Sequence, residues 1–202
     1  MIIIQNGSSK LKYCLSALSI LFFSMAVHGA NSFQKSINNL NAAFQSEANA
    51  VKRYRLFAQE AEDEGYSQVA HLFRAVAQSE LIHRENHRKA IVSLGGEPVK
   101  IQLQPVTVRS TRENLELPIK GETKEQSDTY PRFIKQAEQE EAGQAVRTFQ
   151  FARDAEAKHE KLFRAALANL GRNTREDYYV SEVSGDTLEI PTVQSEEYLR
   201  ID

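Results

Sequence analysis

Apolar residues recur at helical spacing from Ser36 to Gly96, interrupted once at EDEGY (62–66), where Gly65 suits a helix C-terminus. The stretch predicts two helices of nearly thirty residues each. A second pair is predicted from about Asn114 to Glu141 and from about Gly143 to Leu170, with Gly143-Gln144 marking the break and Gly171 the stop. Pro118 is expected in the first turns of its helix, where a missing N–H matters least. Residues 97–117, rich in Val, Gln, Thr and Pro, connect the pairs. Such a helix is ~40 Å long and an extended chain covers ~3.3 Å per residue, so about a dozen residues would run its whole length.

Short loop, long crossover, short loop predicts an all-α fold: a ferritin-like four-helix bundle with the long crossover between helices 2 and 3. The halves also repeat each other. NLNAAFQSE (39–47) aligns with NLELPIKGE (114–122), with Asn-Leu and a final Glu in register. Phe73 stands seven before Glu80 as Phe149 stands seven before Glu156, and Leu94-Gly95 and Leu170-Gly171 close both helices at the same offset. Duplication explains this economically. On this reading the bundle spans 31–171 and a tail follows from 172 to 202.

The first thirty residues differ from the rest. Lys10 and Lys12 precede an apolar run from Tyr13 to Val27, and VHGAN offers small residues for cleavage near Gly29 or Ala30. This predicts an export signal over 1–30 and a periplasmic location. The run falls short of the ~20 residues of a membrane helix, so no stable span is expected once the signal is removed; an uncleaved anchor is the other reading. Removal would take away Cys14, the single Cys, and both Met residues. It would also take two of the 25 basic residues, leaving 23 against 27 acidic. A near-neutral chain without a basic block gives no electrostatic case for nucleic acid. Without thiols, disulfides and thiolate metal sites are excluded.

Glu80-Leu-Ile-His83 and Glu156-Ala-Lys-His159 are both E-x-x-H. On a helix, i and i+3 share a face, so each pair presents an oxygen and a nitrogen ligand towards one point. One such pair is weak evidence; two at equivalent places in a repeat are strong. The repeat adds Glu47 and Glu122, 33 and 34 positions before their E-x-x-H. Four carboxylates and two imidazoles would then meet inside the bundle. Burying that charge uncompensated costs several kcal/mol per group, roughly, whereas divalent cations neutralise it. Oxygen-rich sites with one imidazole per metal suit iron or manganese better than structural zinc. The plain alternative is solvated Glu on outer helix faces. Against it, Glu47 follows Ala42, Ala43 and Phe44, and Glu80 follows Phe73, Val76 and Ala77 on the inward stripe. His87 and His71 have no Glu three before them; each reads as a surface residue or one that supports a ligand from behind.

NLxxAFxxE, FAQEAEDEGYSQVAHLFRAVAQSELIH, GETKEQSDTYPRF and FARDAEAKH resemble the rubrerythrins, over nearly all of residues 36–171. The resemblance implies a di-iron centre with Glu47, Glu80, Glu122 and Glu156 as carboxylate ligands and His83 and His159 as nitrogen ligands. It implies that Glu125, three after Glu122, is the additional carboxylate of peroxide-reducing members, exchanging with His83 on one iron as the redox state changes. Tyr54 and Tyr130 match tyrosines near the site, hydrogen-bonded to ligand carboxylates or merely packed there.

Rubrerythrins typically end in a rubredoxin-like module with two C-x-x-C knuckles. YYVSEVSGDTLE resembles the first knuckle with Ser181 and Ser184 at the cysteine places, and IPTVQSEEYLRID resembles the second with Ile190 and Val193 near them. A protonated hydroxyl or an aliphatic chain does not replace a thiolate on iron, so no rubredoxin-type iron is expected. Tyr178, Tyr179, Val180 and Leu188 alternate as in a short strand or hairpin that would pack on the bundle or a partner subunit; a disordered remnant is the other reading.

The leading functional expectation is an exported di-iron oxidoreductase that reduces hydrogen peroxide with electrons from a separate donor protein, assembled as a homodimer. A ferroxidase or iron-sequestering protein acting with oxygen is the alternative, with Glu125 favouring the first. A non-catalytic scaffold is the third reading, opposed by the intact ligand set.

Overall fold

The computed structural model describes residues 32–189 and 198–201. The export-signal segment and the Ile190 and Val193 places of the tail lie outside the described residues.

Helices α1 (Gln34–Asp63) and α2 (Ser67–Ser93) form the first hairpin. At its far end the Gly95 and Gly96 N–H groups bond back to the carbonyls of Val92 and Ile91, with Gly95 at φ 80°, a left-handed conformation that glycine adopts at no steric cost. The second pair is built differently from the uninterrupted helix expected over 114–141. Helix α3 (Thr111–Lys124) runs into a π-helical segment (Glu125–Thr129) and then into α4 (Tyr130–Gln139), before α5 (Gly143–Ala168) returns. The earlier start has a local cause. Ser110 accepts the N–H of Glu113 and donates its hydroxyl to the Glu113 carboxylate, a capping pair that nucleates the helix at Thr111. Pro118 consequently lies two turns inside α3 rather than in its first turns, and is buried there.

The crossover runs along α1 without regular structure. Three amide side chains one helical turn apart hold it. Asn41, Gln45 and Asn49 accept the N–H groups of Val99, Gln102 and Gln104 at 2.8, 2.9 and 2.8 Å. Helix side chains thus replace the strand partner that an extended backbone otherwise needs.

Two apolar cores fill the bundle. One gathers Tyr54, Phe57, Phe73, Leu115 and Phe163; the other gathers Leu40, Phe44, Ile91, Tyr130 and Phe149. On every rod the residues between these cores are the acidic and histidine positions: Glu47 on α1, Glu80 and His83 on α2, Glu122 at the end of α3, Glu156 and His159 on α5. The polar layer sits mid-bundle with an apolar plug on either side.

The tail forms a three-stranded antiparallel sheet of β1 (Tyr179–Ser181), β2 (Thr187–Leu188) and β3 (Tyr198–Arg200), in the order β2-β1-β3. Tyr178, Val180 and Ile201 join the core of Tyr54, Phe73 and Phe163. His71, which is half-buried, lies 2.8 Å from the carbonyl of Ile201 and edge-on to Tyr178.

Candidate metal centre

Four ligand atoms, one each from Glu80, Glu122, Glu156 and His159, lie within 4.8 Å of one another, and all four residues are buried. His83 completes the inner group. Its Nδ1 is 2.9 Å from Glu80 Oε2 and 3.8 Å from Glu156 Oε1. In the mirrored arrangement His159 Nδ1 is 2.9 Å from Glu156 Oε2 and 3.4 Å from Glu80 Oε1. Glu80 and Glu156 therefore each lie between both imidazoles, while Glu47 and Glu122 occupy the flanks. Helical periodicity produces this: i and i+3 in each E-x-x-H aim together, and the hairpins turn both pairs inward.

Each flanking carboxylate is held by a tyrosine. Tyr54 donates its hydroxyl to Glu122 Oε1, and Tyr130 donates to Glu47 Oε1. Both phenols are fully enclosed, and burial followed by the facing carboxylate charge pushes their pKa values upward, which keeps them protonated donors. Glu125 opens the π-helical segment. It is half-buried, 3.4 Å from the hydroxyl of Ser46, with its carboxyl pushed up to about 8 by burial and by the charges of Glu122 and Glu80. A π turn adds a residue to the helix and rotates the face presented by every later residue, so Glu125 and Tyr130 face the site from a rod that starts in ordinary α register.

The electrostatics are those of an acidic cluster short of positive charge. Glu47 and Glu156 are raised well above the ordinary carboxyl value, by burial first and Glu80 second. Glu122 is raised by burial, although its neighbours partly offset this. Glu80 goes the other way, to about 2: burial opposes its charge, but contacts with His159 and His83 outweigh burial. Oε2 of Glu122 and Oε1 of Glu156 are buried without a hydrogen-bond partner. Orphaned carboxylate oxygens, two inward-facing Nδ1 atoms and an oxygen-rich set together fit a pair of divalent cations such as iron or manganese, which would neutralise the charge and occupy those lone pairs.

Several supporting residues carry little or no mark in the sequence. His87 is fully buried rather than at the surface. Its Nδ1 is 3.1 Å from the Thr148 hydroxyl, and its Nε2 lies 3.5 Å from the Tyr130 hydroxyl and 3.8 Å from Glu47 Oε1. Its position four residues after His83, on the same helical face, was a usable signal. Ser46, Ser79, Thr148 and Thr187 carried none.

The tail reaches the site as well. Ser79 donates its hydroxyl to the carbonyl of Gly185, and Thr187 Oγ1 lies 3.1 Å from His159 Nε2. Gly185, at φ 78°, lies so close to His83 that a Cβ there would fall 2.5 Å from the His83 Nε2.

Comparison with known proteins agrees with this geometry. The family model described as Rubrerythrin matches residues 38–167. Rubrerythrin-1 of Clostridium acetobutylicum is 34% identical over 142 residues, covering 69% of this chain and 73% of the relative. Nigerythrin of Nitratidesulfovibrio vulgaris is 30% identical over 163 residues, covering 81% of each. A solved mixed-valence state of nigerythrin superposes with a TM-score of 0.75 at 28% identity, over 82% of this chain and 86% of that one. A bacterioferritin from Rhodobacter capsulatus shares the fold at a TM-score of 0.63 and 24% identity, over 69% of this chain and 87% of that one. Matched in sequence and in bundle architecture, the chain belongs to the rubrerythrin family.

Proposed function

We propose that this chain is an exported di-iron oxidoreductase that reduces hydrogen peroxide to water. The observation that carries this reading is Glu125, a carboxylate beyond the four of the ring, buried on one side and set beside Glu122 on a π-helical turn. The two irons would supply one electron each, and with two protons the O–O bond is reduced to two waters. Glu47, Glu80, Glu122, Glu156, His83 and His159 would hold the iron pair. Tyr130 and Tyr54 fix the carboxylates of Glu47 and Glu122 by their hydroxyl protons, so the ligand geometry is set before substrate arrives. The apolar plugs above and below keep bulk water from the layer. Electrons would come from a separate donor protein, since Ser181 and Ser184 stand where the family's tail carries thiolates. Export rests on the basic, apolar and small-residue pattern of 1–30. Assembly as a homodimer follows the family pattern.

The test is direct. Purified protein, loaded anaerobically with iron(II), is expected to bind two ions per chain and to be oxidised faster by peroxide than by oxygen. Faster oxidation by oxygen, with iron uptake continuing beyond two per chain, would assign an iron-storing ferroxidase instead. No iron binding would leave a scaffold.

A further inference from the structure

The turn from Ser181 to Thr187 is closed by its own hydrogen bonds, with serines at the knuckle positions. The serines build it. Ser181 Oγ accepts the N–H groups of Val183 and Ser184 at 3.3 and 3.1 Å, and Ser184 Oγ accepts that of Asp186 at 3.2 Å. The backbone closes the loop, with Gly185 N–H bonded to Ser181 O and Ser181 N–H to Asp186 O, both at 2.9 Å. Hydroxyl lone pairs thus satisfy the inward N–H groups of the turn. Two bundle helices grip the result. From α2, Ser79 bonds the Gly185 carbonyl and Asn86 Nδ2 donates to the Val183 carbonyl at 2.8 Å. From α5, Lys158 pairs with Asp186.

The turn meets both ligand imidazoles on the side away from the carboxylates. His159 and His83 each aim Nδ1 at the acidic cluster, which leaves Nε2 facing the tail. There the two differ. His159 Nε2 has the Thr187 hydroxyl at 3.1 Å, whereas His83 Nε2 is buried without a partner and is covered by Gly185. An imidazole held at its outer nitrogen has its ring orientation and tautomer set; one merely covered does not.

We propose that the cysteine-free turn is a metal-independent cap on the metal centre, in which Thr187 is a positioning residue that anchors His159 and Gly185 seals His83 while leaving its outer nitrogen unanchored. The cap rests on the di-iron reading of the site. It gives the tail a purpose independent of electron transfer: ordering one nitrogen ligand and shielding the other from water.

The full-length protein is compared with Thr187→Val, Thr187→Ser, Gly185→Ala and Gly95→Ala. Cobalt(II) affinity is read by chelator competition, and the imidazole resonances by long-range proton–nitrogen NMR on metal-free and zinc(II)-loaded samples. Thr187→Val is expected to lower cobalt affinity about 10- to 100-fold and to shift the His159 resonances but not those of His83; Thr187→Ser is expected to restore both. Gly185→Ala is expected to weaken metal binding, while Gly95→Ala, which carries the same left-handed backbone strain with no atom within 4 Å of its Cβ, is expected to lose stability alone. Cobalt affinity within twofold of wild type in Thr187→Val, with unmoved His159 resonances, would overturn the anchor. Equal metal affinity in the two glycine variants would overturn the seal. If the wild type bound no metal, the di-iron reading would fall, while the His159 resonances of the metal-free protein would still report whether Thr187 holds that ring.

Discussion

Tyr130, the first residue after the π-helical segment, donates its hydroxyl to Oε1 of Glu47 on α1 across the width of the bundle. The bond joins a rod of the second hairpin to a rod of the first at the level of the metal layer. Tyr54 to Glu122 makes the same link in the opposite direction, from α1 to α3. Tyr130→Phe removes the hydroxyl and keeps the ring tilted against Phe149 and edge-on to Phe133. The helical circular dichroism is expected to be unchanged and the affinity of the weaker metal to fall about 10- to 100-fold, as read by titration against a chelator. Unchanged affinity would mean that Glu47 is positioned by its helix alone.

The metal-free protein is expected to lose stability as pH rises. For Glu125 the folded value is about 8 against an ordinary 4.5, so the folded state holds a proton that the unfolded chain has released. Its contribution is complete below about 4.5 and disappears as pH climbs through about 8. The raised carboxyls of Glu47, Glu122 and Glu156 act in the same direction. Thermal melts from pH 5 to 8 are expected to show a falling Tm without metal, a shallower fall in Glu125→Gln, and a reversed slope with excess manganese(II), whose binding requires the deprotonated ligands.

His87 acts at the other end of the scale. Burial holds its imidazole at about 3, first through desolvation and then through His83. Depressed below the ordinary 6.5, it contributes stability that is complete above 6.5 and lost as pH falls towards 3. His87→Gln, which can still bond Thr148, removes this opposing contribution and is expected to make the metal-free fall in stability with rising pH steeper between 4.5 and 6.5, above the window in which Glu80 begins to protonate. An unchanged slope over that window in equilibrium denaturation would refute this.

Phe73 is fully buried between Tyr54, Phe57 and Phe163, at ring separations of 6.1, 5.6 and 5.4 Å. Phe73→Ala is expected to cost about 3–5 kcal/mol in urea unfolding, the range for emptying an aromatic site in a close-packed core. Because Tyr54 leans on this ring while its hydroxyl holds Glu122, metal affinity is expected to fall with stability rather than independently of it.

Much of the bundle was legible because its signals are local. A period of 3.6 marks the rods, a glycine ends the first hairpin and the repeat pairs the two E-x-x-H sites, so Glu80, His83, Glu156 and His159 could be named from spacing alone. The crossover needed only a length and a reach. Less legible was the third rod. Its start depends on a serine cap, and its π turn spans five residues within an otherwise α-helical rod, a local departure that periodicity averages over.

The amino-acid order by itself determined which side chains are available at one face of each helix, because helical geometry relates residues three and four apart regardless of surroundings. It determined equally that the tail lacks thiols. Only the tertiary structure decided which distant groups meet: Tyr130 with Glu47, His87 with Thr148, the amides of α1 with the crossover, and Thr187 with His159. Those contacts join residues 28 to 83 positions apart. Their energies come from burial and alignment that exist only once the rods have packed, so no local pattern records them.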